Sequence, residues 1–291
     1  MQIAIHIGAH CTETERLMKS LLKNADAFAQ QGIKVPGPGK YRVLLRETVQ
    51  NLAGQAPKPE TREILLDAIL DEDHADRLVL SHPNILCVVN RIFEGQEVYA
   101  QAPVKISTFR SLFAQDEMEF FLTLRNPATF IPAAFAEARH PQIDQFLHGM
   151  DPREMRWSEV VAKIRAAAPD VPLTVWCNED APLLWSQLVR EVSGVDPLTP
   201  IVGGFDLLSA IMQPEGMKRF LSYLKTHPPQ TEGQKRRIIA AFLDKYAKPE
   251  EVEEELDLPG WTVELVDEMT RAYEDDVEDI ARMPGVTLLT P

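Results

Sequence analysis

Ile3, Ala4, Ile5, His6 and Ile7 form a short run rich in β-branched residues that ends at Gly8, the pattern of a buried strand. A helical repeat follows at once. Leu17, Met18, Leu21, Leu22, Ala25 and Phe28 share one face. Thr12 and Glu15 have the spacing of a capping box, and Gly32 suits a position just past the helix end. Ile33, Lys34 and Val35 predict a second brief strand, stopped by the turn Pro36-Gly37-Pro38-Gly39. Residues 2–35 therefore read as strand, helix, strand with tight joints, the βαβ unit of a parallel sheet.

The alternation continues. Residues 43–54 and 60–70 carry helical spacing, Arg77 to Ser81 reads as a strand, and 104–114 as a helix. Glu117 to Leu124 alternates and then runs apolar, which predicts another strand. Residues 154–167 read as helix and Leu173 to Cys177 as strand. Strands alternating with helices predict an α/β fold whose central sheet is mainly parallel and covered on both faces. The character changes at the turn-rich stretch Ser193-Gly194-Val195-Asp196-Pro197. Four helical stretches follow: 205–212, 215–225, 232–246 and 261–282. The expected organisation is an α/β core over residues 1–195 and a helical C-terminal lobe over 196–291, packed as a lobe or as part of one integrated domain. The acidic run from Glu250 to Asp257 reads as a solvated helix start.

Composition narrows the function classes. The chain has 291 residues with 30 Lys and Arg against 44 Asp and Glu, a net charge of −14, which opposes binding to nucleic acid. With 45% hydrophobic and 25% charged residues it reads as globular rather than disordered. No apolar stretch approaches the roughly 20 residues of a membrane helix. The N-terminus has no basic segment of the secretory kind. Cys11, Cys87 and Cys177 are odd in number and show no C-x-x-C spacing. The expectation is a cytoplasmic, reduced protein without a membrane or nucleic-acid partner.

Ligands of a parallel sheet bind beyond the carboxyl ends of its strands, and the loop Gly8-Ala9-His10-Cys11-Thr12-Glu13-Thr14-Glu15 occupies that place. The N–H groups and dipole of the helix start behind it suit phosphate or sulfate. A second strand runs into Leu124-Arg125-Asn126-Pro127. On these residues the chain resembles the bacterial sulfotransferase family, a P-loop-type fold. Its members open with a strand, a loop close to H-I-G-x-H-K-T-G-T-T and a long helix. They also carry a strand followed by R-x-P, with a Ser eight residues after the Arg. The resemblance extends weakly to Leu78-Val79-Leu80-Ser81 and Tyr273-Glu274-Asp275-Asp276-Val277. It implies 3′-phosphoadenosine 5′-phosphosulfate, or the matching adenosine bisphosphate, as the cofactor. Gly8, His10, Thr12 and Thr14 would then lie at the phosphosulfate and Arg125 at the 3′-phosphate.

The departures from that pattern bear on activity. The family's Lys falls at Cys11, its loop Gly at Glu13, its last Thr at Glu15 and its Ser at Ala133. A neutral thiol cannot neutralise a bridging oxygen. A carboxylate about 4–5 Å from an anion, at an effective dielectric of about 20, costs roughly 3–4 kcal/mol. Replacement charge is available from Lys40, Arg42, Arg46 and Arg91, which follow strands on the same edge, and from His10 if its pKa rises. Ser81 ends a strand there as well. Three readings follow. The first is a sulfotransferase-like protein with a degenerate phosphosulfate site that binds a small anion or other ligand with weak or no transferase activity. The second is an active sulfuryl transferase to a small hydroxyl acceptor that uses a rebuilt basic site. The third is a protein-interaction module with an unused cleft.

Other constellations carry less. His10 and His82 are candidate catalytic bases near the cleft. His140, Asp144 and His148 have the spacing of one helix face, which suits a metal, but an exposed polar stripe gives the same spacing and no metal is expected. Cys11 and Arg16 enclose four residues, two of them Glu, which excludes phosphatase-type thiolate chemistry. There is no G-x-S-x-G elbow, intact phosphate loop or G-x-G-x-x-G fingerprint, which speaks against hydrolase, ATP, GTP and NAD readings.

Overall fold

A computed structural model describes residues 1–52, 54–70, 74–252 and 258–291. The strands among the described residues are β1 (Gln2–His6), β2 (Ile33–Lys34), β3 (Arg77–Ser81), β4 (Phe93–Glu94), β5 (Glu97–Val98), β6 (Glu117–Leu124), β7 (Leu173–Cys177) and β8 (Val286–Leu289). The helices of the first half are α1 (Thr14–Lys23), α2 (Ala25–Ala29), α3 (Pro38–Leu52), α4 (Pro59–Ile69), α5 (Ala102–Leu112), α6 (Pro127–Ala138) and α7 (Ile143–Phe146). Those of the second half are α8 (Trp157–Ala167), α9 (Ala181–Ser193), α10 (Asp206–Ile211), α11 (Pro214–Thr226), α12 (Glu232–Tyr246), α13 (Pro249–Val252) and α14 (Val263–Ala281).

Six strands form one sheet in the order β2-β3-β1-β6-β7-β8, every pair parallel. β4 and β5 make a separate antiparallel hairpin. The fold is α/β, as the alternation predicts. Numbered within the sheet the order is 2-3-1-4-5-6, which differs from the 3-2-1-4-5-6 of dinucleotide-binding sheets. β1 is therefore central. The chain leaves it toward one side of the sheet and leaves β6 toward the other, so the two loops that follow them meet at the switch point.

Alternation along β1 decides what covers each face. Ile3, Ile5 and Ile7 face a large core with Leu78, Leu80, Phe120, Leu122 and Val175, closed by α3, α5, α6, α8 and α14. Ala4 faces the other core with Val79, Phe121 and Trp176, closed by α1 and α9 through Leu17, Met18, Leu21, Leu184, Trp185 and Leu188. A third, small core of Leu208, Met212, Phe220 and Ile239 lies among α10, α11 and α12. Residues 196–291 thus divide between two environments. α10 to α12 pack on one another and on α9, while α14 lies against α6 and α8 and β8 extends the sheet beside β7.

Several local expectations are corrected. The capping box fails. α1 begins at Thr14, its N-cap Glu13 makes no side-chain cap bond, and Thr12 Oγ1 donates instead to Ala9 O at 2.9 Å. The helix expected to run to residue 31 is broken at Asn24, whose side chain is held by Ser20 O and Val202 O at 2.8 and 2.9 Å. Gly32 keeps a left-handed conformation, φ +74°, beyond the end of α2. The predicted turn 36–39 is half helix, because Pro38 suits a first turn that needs no N–H donor. Ala53, at the end of the helix expected over 43–54, lies outside the described residues. The helix around Asp144 spans only Ile143–Phe146, so His140 and His148 do not share a face with it. Of the acidic run, Glu250 to Val252 belong to α13 and the rest lies outside the described residues.

Candidate functional site

The loop after β1 stays zipped to β6 beyond the strand. Ile7 N donates to Phe121 O at 2.9 Å, Thr123 N to Gly8 O at 2.7 Å, and Ala9 N to Thr123 O at 3.2 Å. Gly8 has φ +113°, and a Cβ there would lie 3.2 Å from Pro83 O. The positive φ calls for glycine, and the close approach of Pro83 O leaves little room for a side chain. The loop then turns back on itself. Thr12 and Thr14 hydroxyls are 3.1 Å apart and both donate to Ala9 O, at 2.9 and 3.4 Å. Cys11 has φ +53°, and its carbonyl accepts from Arg125 Nη1. Arg125 Nε reaches Thr129 Oγ1 at 3.1 Å, so this arginine ties the loop to the first turn of α6. Gly8, His10, Thr12, Thr14 and Arg125 are therefore brought together at the switch point.

The histidines are held neutral. His6 is fully buried, with Nδ1 3.0 Å from Ser81 Oγ, Nε2 3.1 Å from Thr123 Oγ1 and its ring stacked on Trp176 at 5.3 Å. Burial lowers its pKa to about 3, with the Gly8 backbone opposing and Arg42 assisting. His10 is also buried. Asn84 Oδ1 can only accept, so His10 Nε2 carries the proton (2.9 Å), and Nδ1 accepts from the Tyr99 hydroxyl at 2.9 Å. Burial lowers the His10 pKa, opposite to what a rebuilt cationic site requires. His82 lies just beyond β3, with its N–H on His6 O at 3.0 Å. Burial, Arg42, His10 and Arg46 lower its pKa to about 4, which makes it a weak general base near neutrality.

The remaining predicted residues divide. Arg42, on α3, donates through Nε to Ser81 O at 3.0 Å and pairs through Nη1 with Glu15 at 2.6 Å. Its Nη2 is buried without a hydrogen-bond partner among the described residues. Ser81 is fully buried inside the sheet edge. Its N–H donates to the Tyr41 hydroxyl at 2.9 Å, and that hydroxyl donates to Ser81 O at 2.7 Å. Lys40 is exposed in the first turn of α3. Arg91 lies in a 3-10 turn and pairs with Glu94 beside the β4–β5 hairpin.

The loop's acids are engaged as well. Glu13 pairs with Arg16 at 2.7 Å, Glu15 with Arg42, and Cys11 Sγ donates to Glu137 at 3.2 Å. Beside the loop lies a cavity of about 320 Å³ between the ends of β6 and β7 and helix α10. Glu13, Asn126, Asn178, Glu179 and Glu251 supply its polar wall, and Leu207 and Ile211 part of its apolar wall. Asn178 accepts from Glu13 N at 3.2 Å, and Glu179 accepts from Asn126 N at 2.8 Å and from the Tyr273 hydroxyl at 3.2 Å. The sequence reading stopped at the end of β7 and missed Asn178 and Glu179. Their signal was a polar stretch directly after a buried strand, on the edge where ligands bind. Asn84 and Tyr99 left no signal, because only the fold brings them to His10.

No family model matches the chain, and no curated protein or solved structure is significantly similar to it.

Proposed function

We propose that this is a sulfotransferase-like protein that no longer uses the phosphosulfate donor, and whose carboxyl-edge cleft binds a small ligand without transferring a group. The loop itself carries this reading. Its threonine hydroxyls are spent on Ala9 O, its neighbouring cations Arg16 and Arg42 are paired with Glu13 and Glu15, and both nearby histidines are neutral. A doubly charged phosphosulfate would have to displace these contacts and face the Glu13 carboxylate. At about 5 Å and an effective dielectric of about 20 that repulsion is roughly 3 kcal/mol for each unit of charge on the anion, before Arg16 is counted.

Calorimetry with 3′-phosphoadenosine 5′-phosphosulfate and with the bisphosphate tests the reading. The expected dissociation constant for both is weaker than about 100 μM at physiological salt, whereas micromolar donor binding refutes it. The double change Cys11→Lys with Glu13→Gly adds one positive charge and removes one negative charge. It should strengthen phosphate or sulfate binding by at least about tenfold, equivalent to about 1.4 kcal/mol. A folded double variant with unchanged anion affinity means that the loop is not an anion site.

A second reading, an active sulfuryl transferase with a rebuilt basic site, draws on one observation. Arg42 Nη2 is a buried donor with no hydrogen-bond partner among the described residues, next to Arg46 and His82 at the end of β3. Micromolar donor binding that is lost in Arg42→Met would favour it.

A further inference from the structure

The helices α11 and α12 reverse the charge of the rest of the chain. Residues 214–248 hold eight Lys and Arg against three Asp and Glu, a local charge of +5 in a chain of net charge −14. Between the two helices runs a groove of about 710 Å³. The α12 stripe Gln234, Arg237, Ile238, Ala241 and Phe242 forms one wall at helical spacing. Tyr223 and His227 of the α11 end, with their rings stacked at 4.5 Å and 13°, form the other together with Pro228 and Pro229. Tyr223 is 40% exposed and Leu221, on the same helix, 42%. Arg237 makes no hydrogen bond or ion pair among the described residues. The inner face of this helix pair is already occupied, since Phe220 and Ile239 fill the small core and Lys235 and Arg236 bond Ser186 and Gln187 of α9. The groove is the outer face, and nothing in the described fold covers it.

From these observations we infer that the α11–α12 groove is a docking site for an acidic amphipathic helix of a partner protein. The stripe from 234 to 242 rises about 12 Å, two helical turns, which matches the apolar face of a short helix that presents residues at i, i+3 and i+7. Arg237 and the local positive charge require carboxylates on the flanks of that helix. The cations would set the encounter rate and the orientation, and Ile238, Phe242 and Tyr223 would carry the apolar anchor. A basic or neutral helix would leave Arg237 desolvated and unpaired. This inference concerns a surface separate from the carboxyl-edge cleft and does not depend on the ligand proposed there.

The experiment uses the full chain and a fluorescein-labelled 16-residue helical peptide with Leu and Phe on one face and Glu on its flanks, followed by fluorescence anisotropy. The control peptide carries Lys in place of Glu. The expected result is saturable binding of the acidic peptide alone, weakened at least about fivefold between 50 and 300 mM salt. Arg237→Glu and Ile238→Asp, each confirmed as folded by its thermal transition, should each weaken binding about tenfold or more. Equal binding of both peptides, no saturable binding up to about 500 μM, or binding unaffected by both substitutions overturns the inference. Two further outcomes also overturn it. One is sedimentation with phosphatidylserine vesicles that is lost in Arg237→Glu, which assigns the face to a membrane. The other is a concentration-dependent dimer lost in the same variant, which makes the occupant a second copy of the chain.

Discussion

Acid should destabilise this protein in part through one central residue, and His6→Gln should remove that part of the sensitivity. His6 sits in the middle strand with no exposed surface, between Ser81 and Thr123 and stacked on Trp176. Hydroxyls can accept as well as donate, so its two neighbours tolerate either protonation state. Loss of water around the ring opposes the charge. The folded pKa is about 3, against an ordinary value of 6.5. The unfolded chain therefore takes up a proton below pH 6.5 that the folded chain refuses until about pH 3. The stability contributed by the neutral ring is complete above pH 6.5 and is lost as pH falls through that window. At pH 4.5 the loss from this one group is about 2.7 kcal/mol, at roughly 1.36 kcal/mol per pH unit. That is a large part of the typical 5–15 kcal/mol stability of a domain. Glutamine can bond both hydroxyls but cannot titrate. Urea unfolding of the two proteins at intervals from pH 7.5 to 4.5 measures the difference directly. The variant should start less stable at pH 7.5, because it loses the ring stacking, and should then lose about 2–3 kcal/mol less than the wild type by pH 4.5. Parallel stability curves for the two proteins would refute the argument.

Other outcomes follow from the same geometry. Gly194 closes α9 with φ +75°, and a Cβ there would lie 2.7 Å from Arg77 Nε, so Gly194→Ala should cost about 2 kcal/mol or more in chemical denaturation. Asp276 of α14 caps α8 from another helix, accepting from Trp157 N at 2.7 Å and Ser158 N at 3.1 Å. Asp276→Ala should destabilise by about 1–2 kcal/mol, with Asp276→Asn closer to wild type, and hydrogen exchange should show the first turn of α8 opening. If Asp276→Ala unfolds at the wild-type urea midpoint, the cap contributes nothing.

The sheet was legible where burial dominates. β1, β3, β6 and β7 are almost wholly buried, so their apolar runs have few competing explanations. Helices with exposed outer faces, α11, α12 and α14, kept a clear 3.6-residue repeat. α6 escaped because Pro132 lies inside it and its sequence is apolar nearly all round. α9 was passed over despite Pro182 in its first turn and Gly194 after its end. β8 has four residues and only Leu289 is buried, too little pattern to tell from a tail. At the site, the loop and its meeting with Arg125 followed from strand ends on one edge. What the sequence withheld was ionisation and pairing. The neutral state of His10 comes from its burial and its tautomer from Tyr99 and Asn84, and the pairing of Arg42 with Glu15 spans 27 positions, surroundings that exist only once the sheet has formed.

The last strand imposes an order on folding. β8 pairs with β7 in the register Leu173 to Val286, so about 110 residues must be made before the pair can close. Closing a loop of that length is entropically costly and slow compared with forming the helices inside it. During synthesis β6 and β7 can pair as soon as both have emerged, and α9 to α12 can pack nearby. Until α14 and β8 arrive, the outer edge of β7 offers unpaired backbone groups to any passing strand. The nascent chain is most open to aggregation over that interval. A ribosome pause placed between residues 195 and 285 would lengthen the exposure, and a pause before β7 would not.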